Sequence, residues 1–340
     1  MLSYVERLKA VGLPTPEYRR DHYDMIQANT NTTRLNMNNE ELEKQYSPSK
    51  WTHRCSPDEV VKQHIMALAQ GSEKAKAEID CQLDRIYGDT EKQKIDIFGA
   101  DTIPGDAPIF LYIHGGYWQA LGREISSFMV GPICKSGAVV VAIGYDLAPK
   151  VSMSEIVNQC KKAVSFVLNL ASHRGSSGVY IGGHSAGGHL AAMMLSVDWM
   201  SESMQSNSMI KGALLVSGIY DLQPLVNTSV NDPLKMTQET AWENSPLKHL
   251  DTIKKTSCHR HIIVAVGQHD SPEFRRQSQE FQQKLKDGLS SQYVDVADTD
   301  HFNVIENLQN DDYELTKELL KMMKLNINTV VDGMAKTSCS

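Results

Sequence analysis

The stretch YIGGHSAGGHLAAMM, residues 180–194, decides the fold. Its apolar beginning predicts a buried strand and its alanine-rich end predicts a helix, so Ser185 falls at the turn between them. Gly183 and Gly187 stand two residues away on either side, where larger side chains would crowd so sharp a turn. This GxSxG pattern makes Ser185 a candidate nucleophile whose hydroxyl is lifted above the edge of a sheet. An ordinary glycine-rich turn between strand and helix is the alternative interpretation.

The rest of the chain predicts the sheet to which this turn belongs. From about residue 83, short apolar runs alternate with segments of helical period, which is typical of a mostly parallel sheet flanked by helices. The strand candidates are QLDRIYG and KIDIFGA, which could form an opening hairpin, then APIFLYIHGG, GAVVVAIGYD, GVYIGGHS, KGALLVSGIYD, RHIIVAVGQHD and QYVDVAD. The helix candidates are 154–172, 186–197, 273–287 and 303–324. We therefore predict an α/β fold with eight strands.

The segment before this sheet has helical sequence patterns and no strand candidates. Residues 38–46 and 56–70 each open with chemistry typical of a helix start, and a turn-like stretch at 46–51 separates them. We predict an N-terminal helical extension and cap over 1–80, a core over 81–326 and a flexible tail over 327–340, within a single domain overall.

The composition of the chain indicates which kinds of ligand and partner to expect. A formal net charge of -7 over 340 residues leaves no basic surface for nucleic acid, so we expect a small-molecule substrate. Charged residues near the start and the absence of a long apolar run predict a cytosolic protein, with the nucleus left open and no membrane association. The six cysteines have no metal-site spacing, so we expect reduced thiols and no metal. A homodimer is one candidate assembly.

Further segments could assist Ser185. HGGYW at 114–118 follows a predicted strand, and its bare backbone could offer amide groups to an oxyanion, although an aromatic turn that merely packs is the alternative. His301 lies between the last strand and the C-terminal helix, where an imidazole can reach a serine at the sheet edge. Asp270 ends an earlier strand and is the candidate acid. A helix N-cap role for Asp270, with Asp221 as the acid, is the alternative.

Several of these segments resemble one family. They are HGGYW (114–118), GHSAG (183–187), VGQHDSPEFRRQS (266–278), DHFNVIENL (300–308), EKQYSPSKW (43–51) and AAMMLSVDW (191–199). Together they are similar to the animal-type kynurenine formamidases, also called arylformamidases, of the α/β-hydrolase superfamily. The resemblance spans roughly residues 40–325 and implies the α/β-hydrolase fold. It also implies hydrolysis of N-formyl-L-kynurenine to L-kynurenine and formate without a metal or an organic cofactor.

The resemblance also implies roles for residues. Ser185, Asp270 and His301 match the family's catalytic triad, and the amides of Gly116 and Tyr117 match its oxyanion donors. The amide of Ala186, next to the serine, is a third expected donor. The aromatic residues Trp118, Tyr46 and Trp51 are candidates to line the substrate pocket, with simple packing as the alternative. A broad carboxylesterase of the same fold, or a non-catalytic member that only binds a ligand, are the other functions considered.

Overall fold

The computed structural model describes residues 37–325, and one eight-stranded sheet lies at its centre. The strands are β1 Cys81–Ile86, β2 Lys94–Phe98, β3 Ile109–Ile113, β4 Val139–Ile143, β5 Val179–His184, β6 Ile210–Val216, β7 His261–Gly267 and β8 Ser290–Val296. Their order across the sheet is β1-β2-β4-β3-β5-β6-β7-β8. β2 pairs antiparallel with β1 and with β4, and every later pairing is parallel. The mostly parallel sheet of eight strands is thus confirmed.

The central strands are buried along their whole length because helices cover both faces of the sheet. All residues of β3, β4 and β5 are buried, as continuous apolar runs in parallel strands require. The helices of the described residues are α1 Asn39–Gln45, α2 Pro57–Glu78, α3 Val130–Lys135, α4 Met153–Arg174, α5 Ala186–Leu195, α6 Trp199–Ser203, α7 Asn231–Leu234, α8 Gln238–Glu243, α9 Leu250–Thr256, α10 Pro272–Lys286, α11 Asn303–Glu306 and α12 Glu314–Met322. None of them combines the length and the apolar character needed to cross a bilayer.

The long helix predicted over 303–324 is wrong. The segment forms two helices, α11 and α12, which are separated by a 3₁₀ turn at Asn307–Gln309 and a short loop. Asn310 and the two aspartates after it favour turns over helix, because their short polar side chains compete for backbone hydrogen bonds. Tyr313 is extended, with its φ at -70° and its ψ at 142°, and its hydroxyl donates to the Val304 carbonyl at 2.9 Å.

The described part of the predicted cap consists of α1, α2 and the 3₁₀ turn Pro48–Trp51 between them. Asn38 and Ser56 cap the two helices by accepting hydrogen bonds from backbone amides in the first turns. α2 runs to Glu78, eight residues past the predicted 56–70, because no helix breaker follows position 70 except Gly71. The predicted extension at residues 1–36 and the predicted tail at 327–340 lie outside the described residues, and the domain boundaries remain predictions.

Candidate active site

Ser185 occupies a strained turn between β5 and α5. Its φ is 57° and its ψ is -121°, a conformation that costs a non-glycine residue about 1–3 kcal/mol. A Cβ atom at Gly187 would lie 2.0 Å from the Ile113 carbonyl oxygen, and one at Gly183 would lie 2.2 Å from the Gly187 carbonyl oxygen. Only glycine fits at either position, so this tight packing holds the serine above the carboxyl end of the sheet.

His301 and Asp270 form a hydrogen-bonded pair at the same edge of the sheet. The Nδ1 atom of His301 lies 2.9 Å from Oδ2 and 3.1 Å from Oδ1 of Asp270. Both side chains are at most 4% exposed, and the Phe274 ring packs edge-on against the imidazole with 4.7 Å between the centroids. A carboxylate can only accept, so Nδ1 carries the proton and Nε2 is left for another partner.

The alternative role for Asp270 is filled by another residue. Ser271 is the N-cap of α10, and its hydroxyl accepts a hydrogen bond from the Phe274 amide at 3.2 Å. The alternative acid, Asp221, is buried one strand earlier, where its carboxylate accepts from the Gln223 amide at 3.0 Å. Asp270 is therefore the acid whose carboxylate contacts Nδ1 of His301.

A second histidine, His184, contacts His301 and stabilises the position of its loop. Burial, followed by the neighbouring His301 and His64 side chains, lowers the pKa of His184 well below its ordinary value, so its ring stays neutral. Its Nε2 atom donates to the backbone carbonyl of His301 at 2.7 Å, and the two ring centroids are 4.6 Å apart. His184 thereby helps to fix the loop that carries His301.

Three backbone amides lie close to Ser185, since Gly116 and Tyr117 line a cavity with it and Ala186 follows it in the chain. The loop after β3 turns through positive φ angles at Gly116 (99°), Tyr117 (49°) and Trp118 (60°). The amides of Gly116, Tyr117 and Ala186 donate to no backbone carbonyl anywhere in residues 37–325. Ala186 is also the first residue of α5, where the helix dipole favours negative charge. These groups can stabilise an oxyanion, because they are donors with no competing internal partner.

A cavity of about 440 Å³ lies next to Ser185. Ser185 and His301 line it together with Gly116 and Tyr117 of the loop after β3. Its apolar lining exceeds its polar lining, as is usual in pockets for small organic ligands of a few hundred cubic ångströms. No group of three or more His, Cys, Asp or Glu side chains in the described part of the chain is placed to hold a metal ion.

Of the three aromatic residues predicted to line the pocket, only Tyr46 does so. The prediction for Trp118 is wrong, since its side chain is fully buried in the core and its indole donates to Nδ1 of His189 at 3.1 Å. The prediction for Trp51 is wrong as well. Trp51 does not line the cavity, its indole donates to the Lys44 carbonyl at 2.9 Å, and the Lys44 ammonium lies over its ring.

Comparison with known proteins places this chain in a family. A family profile described as the alpha/beta hydrolase fold matches residues 110–304. The kynurenine formamidase of Salmo salar is 49% identical over 289 residues, which cover 84% of this chain and 97% of that protein. This chain belongs to the kynurenine formamidase family. The kynurenine formamidase of Danio rerio is similar at 48% identity, with 84% of this chain and 97% of that protein covered.

A solved esterase shares the fold of this kynurenine formamidase family member. Esterase B from Lactobacillus rhamnosis aligns with a TM-score of 0.57 at 17% identity and covers 78% of this chain and 95% of that chain. At this identity the likeness concerns the fold alone. The resemblance of the motifs and the predicted α/β-hydrolase fold are both confirmed by these matches.

Other residues of the cavity were not predicted. Val61, His64 and Ile65 of α2 line it, although two of them are about 40% exposed. Their spacing places them on one helical face, which was the available signal. Ser229 and Val230, from the loop between β6 and α7, also line the cavity. The sequence carries no motif there, so only the fold brings that loop to the site.

In this kynurenine formamidase family member, an ion pair fastens the cap next to His301. Arg54 binds Asp300 through Nε at 2.8 Å and Nη2 at 3.1 Å. The Asp300 carboxylate also accepts from the amides of Phe302 and Asn303, each at 2.9 Å. Burial alone would raise the pKa of the Asp300 carboxyl, but the hydrogen bonds from Arg54, Thr52 and these amides outweigh it and lower the pKa to about 2.

The low pKa of Asp300 predicts a pH-dependent contribution to stability. A depressed pKa in the folded state stabilises the fold above the ordinary value of 3.8 and loses that effect as the pH falls toward about 2. In Asp300→Asn the side-chain oxygen can still accept from the amides of Phe302 and Asn303, but the charge facing Arg54 is lost. Allowing for solvent screening, we expect a cost of about 1–2 kcal/mol in the free energy of unfolding near neutral pH.

Denaturant unfolding of wild type and Asp300→Asn between neutral pH and about pH 3 measures this effect. The difference between the two proteins should shrink as the pH falls below about 4. Asp311→Asn, at an exposed position in the loop before α12, is the control and should match wild type throughout. A difference that is constant over the whole pH range would show that the Asp300 charge does not stabilise the fold.

Proposed function

We propose that this protein hydrolyses N-formyl-L-kynurenine to L-kynurenine and formate. The fish relatives named kynurenine formamidase are 49% and 48% identical to it over nearly their whole lengths, which supports this reaction. The observation that carries the proposal is the cavity that Ser185 and His301 line together with Gly116 and Tyr117, whose amides donate to no backbone carbonyl of the described residues. Asp270 contacts Nδ1 of the same His301 imidazole. A serine, a carboxylate-bound imidazole and free amides are the components that acyl transfer requires.

The first step is attack by serine. Nε2 of His301 takes the proton of the Ser185 hydroxyl as its oxygen bonds to the formyl carbon. Asp270 keeps the Nδ1 proton in place and stabilises the imidazolium that forms. The carbonyl π electrons move onto the formyl oxygen, which becomes an oxyanion.

The oxyanion is met by the amides of Gly116, Tyr117 and Ala186. Each preorganised donor of this kind contributes roughly 100- to 1,000-fold to the rate, or about 2.7–4 kcal/mol. When the tetrahedral intermediate collapses, the bond from carbon to nitrogen breaks and the imidazolium of His301 protonates the leaving aryl amine. Water, activated by the neutral His301, then attacks the formyl-serine ester and releases formate and free Ser185.

A formanilide is an amide that such a site can cleave more readily than an ordinary alkyl amide. Its formyl carbon bears only hydrogen, so the approach of the serine oxygen is not hindered. The aryl amine leaves more readily than an alkyl amine, because its nitrogen lone pair is delocalised into the ring. A cavity of about 440 Å³ with a largely apolar lining suits one substituted benzene ring and its short side chain.

A comparison of two substrates tests this function. Steady-state release of L-kynurenine from N-formyl-L-kynurenine should exceed turnover of 4-nitrophenyl acetate in kcat/KM, since the cavity is matched to the larger aryl substrate. Rapid ester cleavage without formamide cleavage would instead make the protein a carboxylesterase. Binding of either compound without turnover would make it a non-catalytic member of the fold. The predicted cytosolic location and homodimeric assembly remain predictions for cell fractionation and for mass measurement in solution.

A further inference from the structure

A carboxylate borders the same cavity on the side of the cap. Glu43, in the last turn of α1, is half-buried and lines the cavity together with Ser185. One carboxylate oxygen accepts a hydrogen bond from the Ser229 amide at 2.8 Å, and the other accepts from the Ser229 hydroxyl. These bonds fix the position of the carboxylate and leave further lone pairs on both oxygens.

No cation of the described residues balances the charge of Glu43. Within residues 37–325, no Lys or Arg nitrogen lies within 4 Å of its carboxylate. Other carboxylates around the cap are paired, since Asp300 binds Arg54 and Glu273 binds Arg276. Lys44, the next residue in the chain, holds its ammonium 5.2 Å from the centre of the Trp51 ring. A partly desolvated carboxylate of this kind favours a cationic ligand.

The charged side chains that line the cavity also favour a cationic ligand over an anionic one. Among the described residues no Lys or Arg lines the cavity, and Glu43 is its one acidic side chain. A ligand that carries an ammonium group is therefore favoured over an anion of the same size. The substrate of the proposed function is an aryl formamide with a primary ammonium group on its side chain.

We propose that Glu43 binds the α-ammonium group of the substrate and selects aryl formamides that carry a free amine. This inference rests on the proposed function and names a specificity residue for it. The carboxylate acts at a distance from the formyl group, so it fixes the position of the substrate and takes no part in bond breaking. The loss of its charge should therefore act mainly on KM for amine-bearing substrates.

Glu43→Gln is the informative variant, because a glutamine can still accept from the Ser229 amide while it lacks the charge. We compare three substrates: N-formyl-L-kynurenine, its analogue without the amino group, and formanilide. We expect kcat/KM for N-formyl-L-kynurenine to fall roughly 10- to 100-fold, mostly through KM. The two substrates without an amine should change by less than about threefold. Glu40→Gln, at an exposed position of the same helix, is the matched control and should leave all three unchanged.

Two results would overturn the inference. An equal loss with all three substrates would mean that Glu43 only fastens α1 to Ser229, and no loss with any would mean that it contacts no ammonium group. Calorimetric binding of L-kynurenine and its analogue without the amine, to wild type and Glu43→Gln, gives the same comparison without turnover. If wild type cleaves no formamide, the proposed function fails. In that case the calorimetric comparison of L-kynurenine with its amine-free analogue still shows whether Glu43 binds the ammonium group.

Discussion

Ser185→Ala is expected to lower kcat for N-formyl-L-kynurenine by roughly 10⁵- to 10⁶-fold, the scale seen when a serine nucleophile is removed from a triad. In the proposed mechanism the hydroxyl oxygen forms the bond to the formyl carbon, and no other side chain shares its strained position at the end of β5. The alanine keeps the Cβ atom, so it needs the same backbone conformation and adds no bulk against the glycines. The thermal midpoint and the affinity for L-kynurenine should stay near those of wild type.

The control for this variant is Ser196→Ala. Ser196 is the C-cap that follows α5, at the opposite end of the helix from the turn, and its hydroxyl donates to the Met193 carbonyl at 2.7 Å. A serine-directed phosphonylating inhibitor adds a chemical readout, since it should label one peptide of wild type, the one containing Ser185. If Ser185→Ala keeps activity near that of wild type, or if the label is found on another serine, Ser185 is not the nucleophile.

Much of the fold follows from local chemistry in the sequence. The strands were predictable because buried parallel strands need continuous apolar runs, as in Val139–Ile143, where every residue is buried. The turn around Ser185 was predictable because glycines two residues away on either side have a steric cause that is visible in the motif. Chain order and position at strand ends also pointed to His301 and Asp270 as candidates. Their contact at 2.9 Å depends on the tertiary structure and is known only from the fold.

The rest depends on contacts that sequence pattern does not encode. The bond between Glu43 and Ser229 joins residues 186 positions apart, and the one between Arg54 and Asp300 joins residues 246 positions apart. Trp118 was misplaced because the positive φ angles of its loop turn it into the core, and aromatic composition alone cannot reveal that direction. Secondary structure was thus easier to predict than the composition of the cavity wall.

The structure also explains why the cap belongs to the site. α1 supplies Glu43 and leads into Tyr46, while α2 supplies His64, and all three side chains line the cavity. The Tyr46 hydroxyl is held by Gln277 of α10 at 2.8 Å, so the cap is tied to the helix that follows Asp270. The strands and their turns hold the reacting groups, and the cap helices supply the wall opposite them. The proposed selection of amine-bearing substrates therefore depends on the cap.

Asp270→Asn is expected to lower kcat by roughly 10³- to 10⁴-fold while the cavity keeps its shape. An asparagine is nearly isosteric, but its amide nitrogen can donate to Nδ1 of His301. That hydrogen bond favours the tautomer in which Nε2 carries the proton and cannot accept one from Ser185. The variant also lacks the negative charge that stabilises the imidazolium. Steady-state kinetics with N-formyl-L-kynurenine give the loss, and an unchanged affinity for L-kynurenine shows that the fold is intact.

Asp221→Asn is the matched comparison, because Asp221 is about as buried as Asp270 and lies in the loop that follows the neighbouring strand β6. The carboxylate of Asp221 accepts from the Gln223 amide at 3.0 Å, and an asparagine oxygen can accept the same bond. Its effect on kcat should therefore stay below about tenfold. If Asp221→Asn proves the more damaging of the two, Asp221 is the acid that orients His301, and the contact between Asp270 and the imidazole has another role.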